Sequence, residues 1–151
     1  MKLMQKGQSM VEFAVIFPFF IFLIMALAYF GLAFADFLYL NNIARSSARE
    51  AIVYTNVDGE AQKSDAEINK ILEPKYSTIK KNYQKNGLVS DMYKWTYYDI
   101  RYDKNTKNVI VKIKATLNTD DDSLPSIMDR LLNVNSSDAF DINIEYTMYK
   151  G

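Results

Sequence analysis

Two residue types that carry much of enzymatic proton and metal chemistry are missing from this chain of 151 residues, which has no His and no Cys. Imidazole ligation, proton relay through histidine, thiolate nucleophiles and disulfides are thereby excluded. Carboxylate and amine chemistry remains. Asp120, Asp121 and Asp122 offer the clustered oxygens that Ca²⁺ takes, but they lack the loop glycine and closing glutamate of an EF-hand, and capping of a following helix explains them adequately. Lys80, Lys81 and Lys85 fit an anionic-surface patch or, more simply, a solvated helix face. No set of carboxylates stands out from ordinary surface acids as a hydrolase would require. The sharpest chemical demand comes from Glu12 in the stretch GQSMVEF, the last charge before 23 uncharged residues, Phe13 to Ala35. A carboxylate at the threshold of an apolar medium is costly unless a cation pairs with it.

The element that positions Glu12 is a helix. Residues 13–35 rise about 34 Å at 1.5 Å per residue, enough to cross a hydrocarbon core, so the segment reads as a membrane span. Lys2 and Lys6 precede it, whereas Asp36 and then Arg45 follow, which predicts a cytoplasmic N-terminus and an exported remainder. Ala33-Phe34-Ala35 matches a signal-peptidase pattern, but the apolar run is too long and Glu12 intrudes where a basic leader is expected. Pro18 and Gly31 are tolerated in membrane helices, with Pro18 loosening the turn that contains Ala14. Beyond the span, Phe37, Leu40, Ile43 or Ala44, Ala48 and Ala51 recur at helical spacing, with Asn41, Asn42, Arg45 and Arg49 on other faces. This predicts one helix over 8–56, membrane-spanning at 13–35 and amphipathic at 36–56, ended by the turn residues Val57-Asp58-Gly59.

The composition divides at the same place. Eight of nine Phe lie between Phe13 and Phe37, and ten of eleven Tyr lie at Tyr39 or later, so residues 57–151 are expected to form a water-facing head. Charge is balanced at 18 basic and 18 acidic residues, leaving no global field for nucleic acid. In the head, Ser64 to Glu67 fits a capping box for a short helix stopped by Pro74, and a second short helix spans Ser77 to Lys85, closed by Asn86-Gly87. MYKWTYYDIRYD, the turn Lys104 to Lys107 and NVIVKIKATLN make a hairpin that points Val109, Val111, Ile113, Ala115 and Leu117 to one face. A short helix over Leu124 to Leu132 leads to a third strand, AFDINIEYTMY, with Phe140, Ile142, Ile144, Tyr146 and Met148 on its apolar face. The fold class is α+β: a long N-terminal helix packed on a small three-stranded antiparallel sheet, with short extra helices. Tyr93, Trp95, Tyr97 and Tyr98 invite comparison with an adhesive aromatic platform, but strand alternation turns half of them inward.

The leader MKLMQK, Gly7, and Glu12 five positions later ahead of a long apolar helix resemble the class III signal of type IV pilin-like proteins. More specifically, GQSMVEFAVIFPFF, the YFG ending at Gly31, and NNIARSSAREA from Asn41, with Asn42, Arg45 and Arg49, resemble the TadE-like minor pilins and pseudopilins of tight-adherence (Tad) pilus systems. The resemblance implies a leader of 1–7, removed by a prepilin peptidase between Gly7 and Gln8, and assembly through Glu12, Phe13 and Pro18. In this class the carboxylate pairs with the N-terminal amine of a neighbouring subunit, and the alternative role for Glu12 is a headgroup-level position favoured by the helix N-terminus. The implied partners are the peptidase, other pilin subunits, the inner-membrane Tad assembly platform and, before assembly, lipid. Neither cofactor nor metal nor catalysis is expected. The competing expectation is an uncleaved single-pass receptor or sensor with an exported binding domain.

Overall fold

The computed structural model describes residues 2–55, 63–90, 92–132 and 141–150, with side chains from Met10 onward apart from residues 128, 129, 131 and 132. The turn expected at Val57 to Gly59 and Phe140 of the third strand lie outside the described residues. Helix α1, Lys2–Tyr54, runs unbroken through Pro18. From Phe13 to Ala35 it presents no charged side chain on any side, as a membrane span requires. Its second half is amphipathic and buries Leu40, Ile43, Ala44, Ser47, Ala48 and Ala51. Four of these six are Ala or Ser, which lets the backbone lie close on the sheet. The last turn is closed by the Thr55 N–H on the Ile52 carbonyl (3.1 Å) and the Thr55 hydroxyl on the Ala51 carbonyl (2.6 Å).

The sheet carries α1 as expected. Strands β1 (Tyr93–Asp103), β2 (Asn108–Leu117) and β3 (Ile142–Tyr149) are antiparallel in the order β1-β2-β3. The apolar face of β2, Val109 to Leu117 in alternation, is buried beneath the helices, as are Ile142 and Ile144 of β3. Asp103 organises the hairpin turn by accepting the Asn105 N–H (2.9 Å) and the Thr106 hydroxyl (2.7 Å), which also hold its carboxyl below the usual range. Helix α3, Leu124–Leu132, has the expected bounds, and its first turn donates the Ser126 N–H to the Ser123 hydroxyl (3.3 Å).

Two expectations are corrected. Residues 65–84 form one helix, α2 (Asp65–Gln84), with Pro74 inside it rather than two helices separated by proline. Ile68, Leu72, Tyr76 and Ile79 make one buried stripe that continues across Pro74. Each such side chain contributes about 1.5–3 kcal/mol on burial, which together outweighs the roughly 3 kcal/mol of an interior proline. At the helix start the Glu67 carboxylate accepts the Ser64 N–H (2.9 Å) and hydroxyl (3.1 Å), and at its end Gly87 takes φ +69. The second correction concerns the aromatic strand. Its register slips between Trp95 and Tyr97, and this bulge moves the inward phase from odd to even positions. Tyr93, Trp95 and Tyr98 therefore all face the core, Trp95 stacking on Tyr98 with centroids 5.5 Å apart, and only Tyr97 is exposed. Three of the four aromatic residues, rather than the expected half, are turned inward.

Candidate assembly site on the N-terminal helix

From Met10 to Ala28 no side chain of α1 is buried, and the head first packs against the helix at Tyr29 and Ala33. The free stretch of 19 residues rises about 28 Å, close to the hydrocarbon thickness of a bilayer. Roughly the last two turns of the expected span, 13–35, are thus covered on one side by the head.

The residues singled out in the sequence fall on α1 as follows. Gly7 and Gln8 lie in its first two turns. Phe13 is exposed and stacks on Phe17, centroids 5.2 Å apart. Phe13, Gly31 and Arg49 are 18 positions apart, which is five whole turns, and Asn42 and Arg45 fall on the same side. The exposed side chains Phe17, Phe20, Ile24 and Leu38 fill the gaps between them. A continuous stripe therefore runs the length of the helix, diametrically opposite the buried face of Leu40, Ser47 and Ala51. Pro18 lies below the head on that opposite side, and exposed Glu12 lies on the flank, about a quarter turn from the stripe. Nothing lies within 4 Å of where a Gly31 side chain would begin, so no contact inside the chain requires glycine there.

The stripe changes chemistry along its length. Its lower part is apolar, and its upper part carries Asn42, Arg45 and Arg49, all exposed. Neither arginine makes an ion pair among the described residues, and Arg45 sits over the Tyr146 ring at 5.8 Å. Asp120 and Asp121 of the acidic run pair separately with Lys94 (2.5 Å) and Arg130 (2.8 Å), so the run does not converge on one point.

One residue of the junction escaped the sequence reading. Asp36 is fully buried where the apolar helix meets the head, its oxygens accepting the Ser90 N–H (3.0 Å) and the Ser90 hydroxyl (2.5 Å). The Ser90 oxygen in turn accepts the Met92 N–H (3.2 Å). This carboxylate binds the head's loop to the stalk. The available signal was that Asp36 is the one charge between Glu12 and Arg45. Beside it, burial first, then Tyr29, Asp36 and Asp141, push the Tyr93 hydroxyl up to about 12.

Residues 7–49, under a third of the chain, match the family model described as TadE-like protein. No curated protein matches, and no solved structure does.

Proposed function

We propose that this chain, whose residues 7–49 match the TadE-like model, is a minor pilin or pseudopilin of a Tad-type pilus or secretion apparatus. It is inserted as a single-pass precursor with its N-terminus in the cytoplasm, clipped by a prepilin peptidase between Gly7 and Gln8, and assembled at the cell surface through α1. Its role is structural rather than catalytic. The observation that supports this best is the uncovered stripe from Phe13 to Arg49, which offers a packing face that the chain's own head leaves open.

On this reading the apolar stretch exchanges lipid for neighbouring helices, at little net hydrophobic cost because both are apolar. Cleavage creates an amine at Gln8, and Glu12 of a neighbour is the carboxylate that pairs with it. Two unpaired charges entering an apolar bundle are costly, so the pair sets both the strength and the axial register of packing. The Asp36 to Ser90 junction keeps the head in one orientation on the stalk.

The test is the N-terminus and intact mass of the protein from native membranes and from sheared surface material, compared with a peptidase-deficient strain. The expected result is a chain starting at Gln8 only where the peptidase is present. Met1 throughout would favour an anchored receptor, and a start at Asp36 a secreted protein.

A further inference from the structure

We propose that the outer edge of β3 is a docking site for an extended segment of another envelope protein, added as a fourth strand beneath the overhang of α1.

The two edges of the sheet are treated differently. The Lys150 N–H donates to the Lys107 carbonyl directly opposite (2.9 Å), so every second pair from there, including Val109 with Met148 and Val111 with Tyr146, exchanges ladder bonds. The backbone groups of Asn143, Glu145, Thr147 and Tyr149 must then point away from β2. The same alternation makes Tyr102 point outward from β1. There the Asn69 side chain closes the edge, donating to the Tyr102 carbonyl (2.8 Å) and accepting the Tyr102 N–H (2.8 Å), while Asp65 accepts the Lys104 N–H (3.3 Å). Among the described residues nothing serves the edge of β3 in this way. It has no proline and no bulge, and its one charge, Glu145, is engaged by Lys112 (3.1 Å).

A row of alternating donors and acceptors at strand spacing fits an extended peptide and little else. The neighbouring wall defines that peptide further. Arg45 lies over Tyr146, and Lys150 Nζ donates to the Thr55 carbonyl (2.6 Å), so β3 runs alongside α1 in the same direction. Phe37, Leu38, Asn41, Asn42 and Arg45 line a shallow groove on α1, with Phe37, Asn41 and Arg45 on the flank towards β3 and Leu38 and Asn42 on the outward stripe. An added strand would direct alternate side chains towards this flank, apolar ones against Phe37 and a carboxylate against Arg45, which makes no ion pair among the described residues. A second copy fits poorly. Antiparallel self-pairing of β3 needs a two-fold axis perpendicular to the sheet, which reverses α1 and places the two apolar stalks at opposite ends.

Strand addition at this edge is independent of cleavage after Gly7. It is tested on the full chain in detergent micelles by residue-resolved amide exchange, with the acetylated and amidated peptide Thr-Val-Thr-Asp-Thr-Val-Thr as probe. Without peptide the amides of Asn143, Glu145, Thr147 and Tyr149 exchange fast while those of Ile144 and Tyr146 are protected; millimolar peptide slows the first four by at least about tenfold. Arg45→Ala reduces this protection to the level seen when the probe's Asp is replaced by Asn. Thr147→Pro removes an outward donor but no ladder bond and abolishes it. Peptide that leaves the four amides unchanged, or equally protects Ile100 of β1, overturns the proposal. So does protection without peptide, whether it is lost on dilution, which would identify a second copy, or persists, which would mean the chain covers its own edge.

Discussion

Asp36 and Ser90 lie 54 positions apart and are joined twice, through the Ser90 backbone N–H and through its hydroxyl, at the point where the apolar helix enters the head. Asp36 is fully buried and Ser90 half-buried, so loss of the carboxylate takes the partner from two donors that water reaches only in part. Asp36→Ala is expected to destabilise the head by about 2–3 kcal/mol, and Ser90→Ala, which keeps the backbone bond, by about 1 kcal/mol. Urea unfolding of the full chain in detergent, followed by the fluorescence of Trp95, checks the order. Equal losses would mean that the backbone bond carries nothing.

The second prediction concerns Glu12. Glu12→Ala should leave the amount of protein in the membrane unchanged and lower the amount in sheared surface material by at least about tenfold, the factor given by roughly 1.4 kcal/mol of lost pairing. Quantitative immunoblotting of the two fractions measures this. Normal surface recovery would remove the pairing role.

Gly31 separates packing within the chain from packing between chains. Since a side chain there meets nothing, Gly31→Ala should stabilise the isolated helix by about 0.5–1 kcal/mol through lower backbone entropy. Gly31→Leu should leave the head's unfolding transition in place yet reduce assembly. Assembly unchanged by Leu would show that no helix approaches this side.

Asn69 holds one edge of the sheet shut. Asn69→Ala strands the Tyr102 N–H and carbonyl and is expected to cost about 1–3 kcal/mol. Asn69→Asp should be no better, because it keeps the acceptor but sets a carboxylate oxygen against the Tyr102 carbonyl. Amide exchange at Tyr102 reports the opening directly.

The buried Tyr93 makes the junction alkali-sensitive. A phenol that titrates near 10 when unfolded and near 12 when folded keeps more protons in the folded state across that interval. Its contribution to stability is complete below pH 10 and falls as pH rises towards 12. Tyr93→Phe should flatten this decline in thermal unfolding followed by circular dichroism between pH 8 and 12, scanned at about half-unit steps. A decline of the same slope in the variant would assign it to other tyrosines, such as Tyr98, which burial also raises.

The long helix, the three strands and the single apolar face of β2 were legible in the sequence because each rests on a period that neighbouring residues alone define. The run from Phe13 to Ala35 needs no partner to be recognised as apolar, and Gly7, Glu12, Gly31, Asn42, Arg45 and Arg49 are fixed on one helix once that helix is granted. Helical periodicity also determines that Phe13, Gly31 and Arg49 share a side. Which side the head would leave open was decided by tertiary packing. So was the survival of α2 across Pro74, since the burial of Ile68, Leu72, Tyr76 and Ile79 that offsets the proline comes from contacts with distant elements. The bulge at Trp95 to Tyr97 depends on pairing with Ala115 and Lys114 of another strand, and no local alternation announces it. Asp36 with Ser90 and Asn69 with Tyr102 are of the same kind: a polar group buried far from its partner in sequence is satisfied only by the folded chain, because the desolvation that makes the bond necessary does not exist until the chain has closed around it.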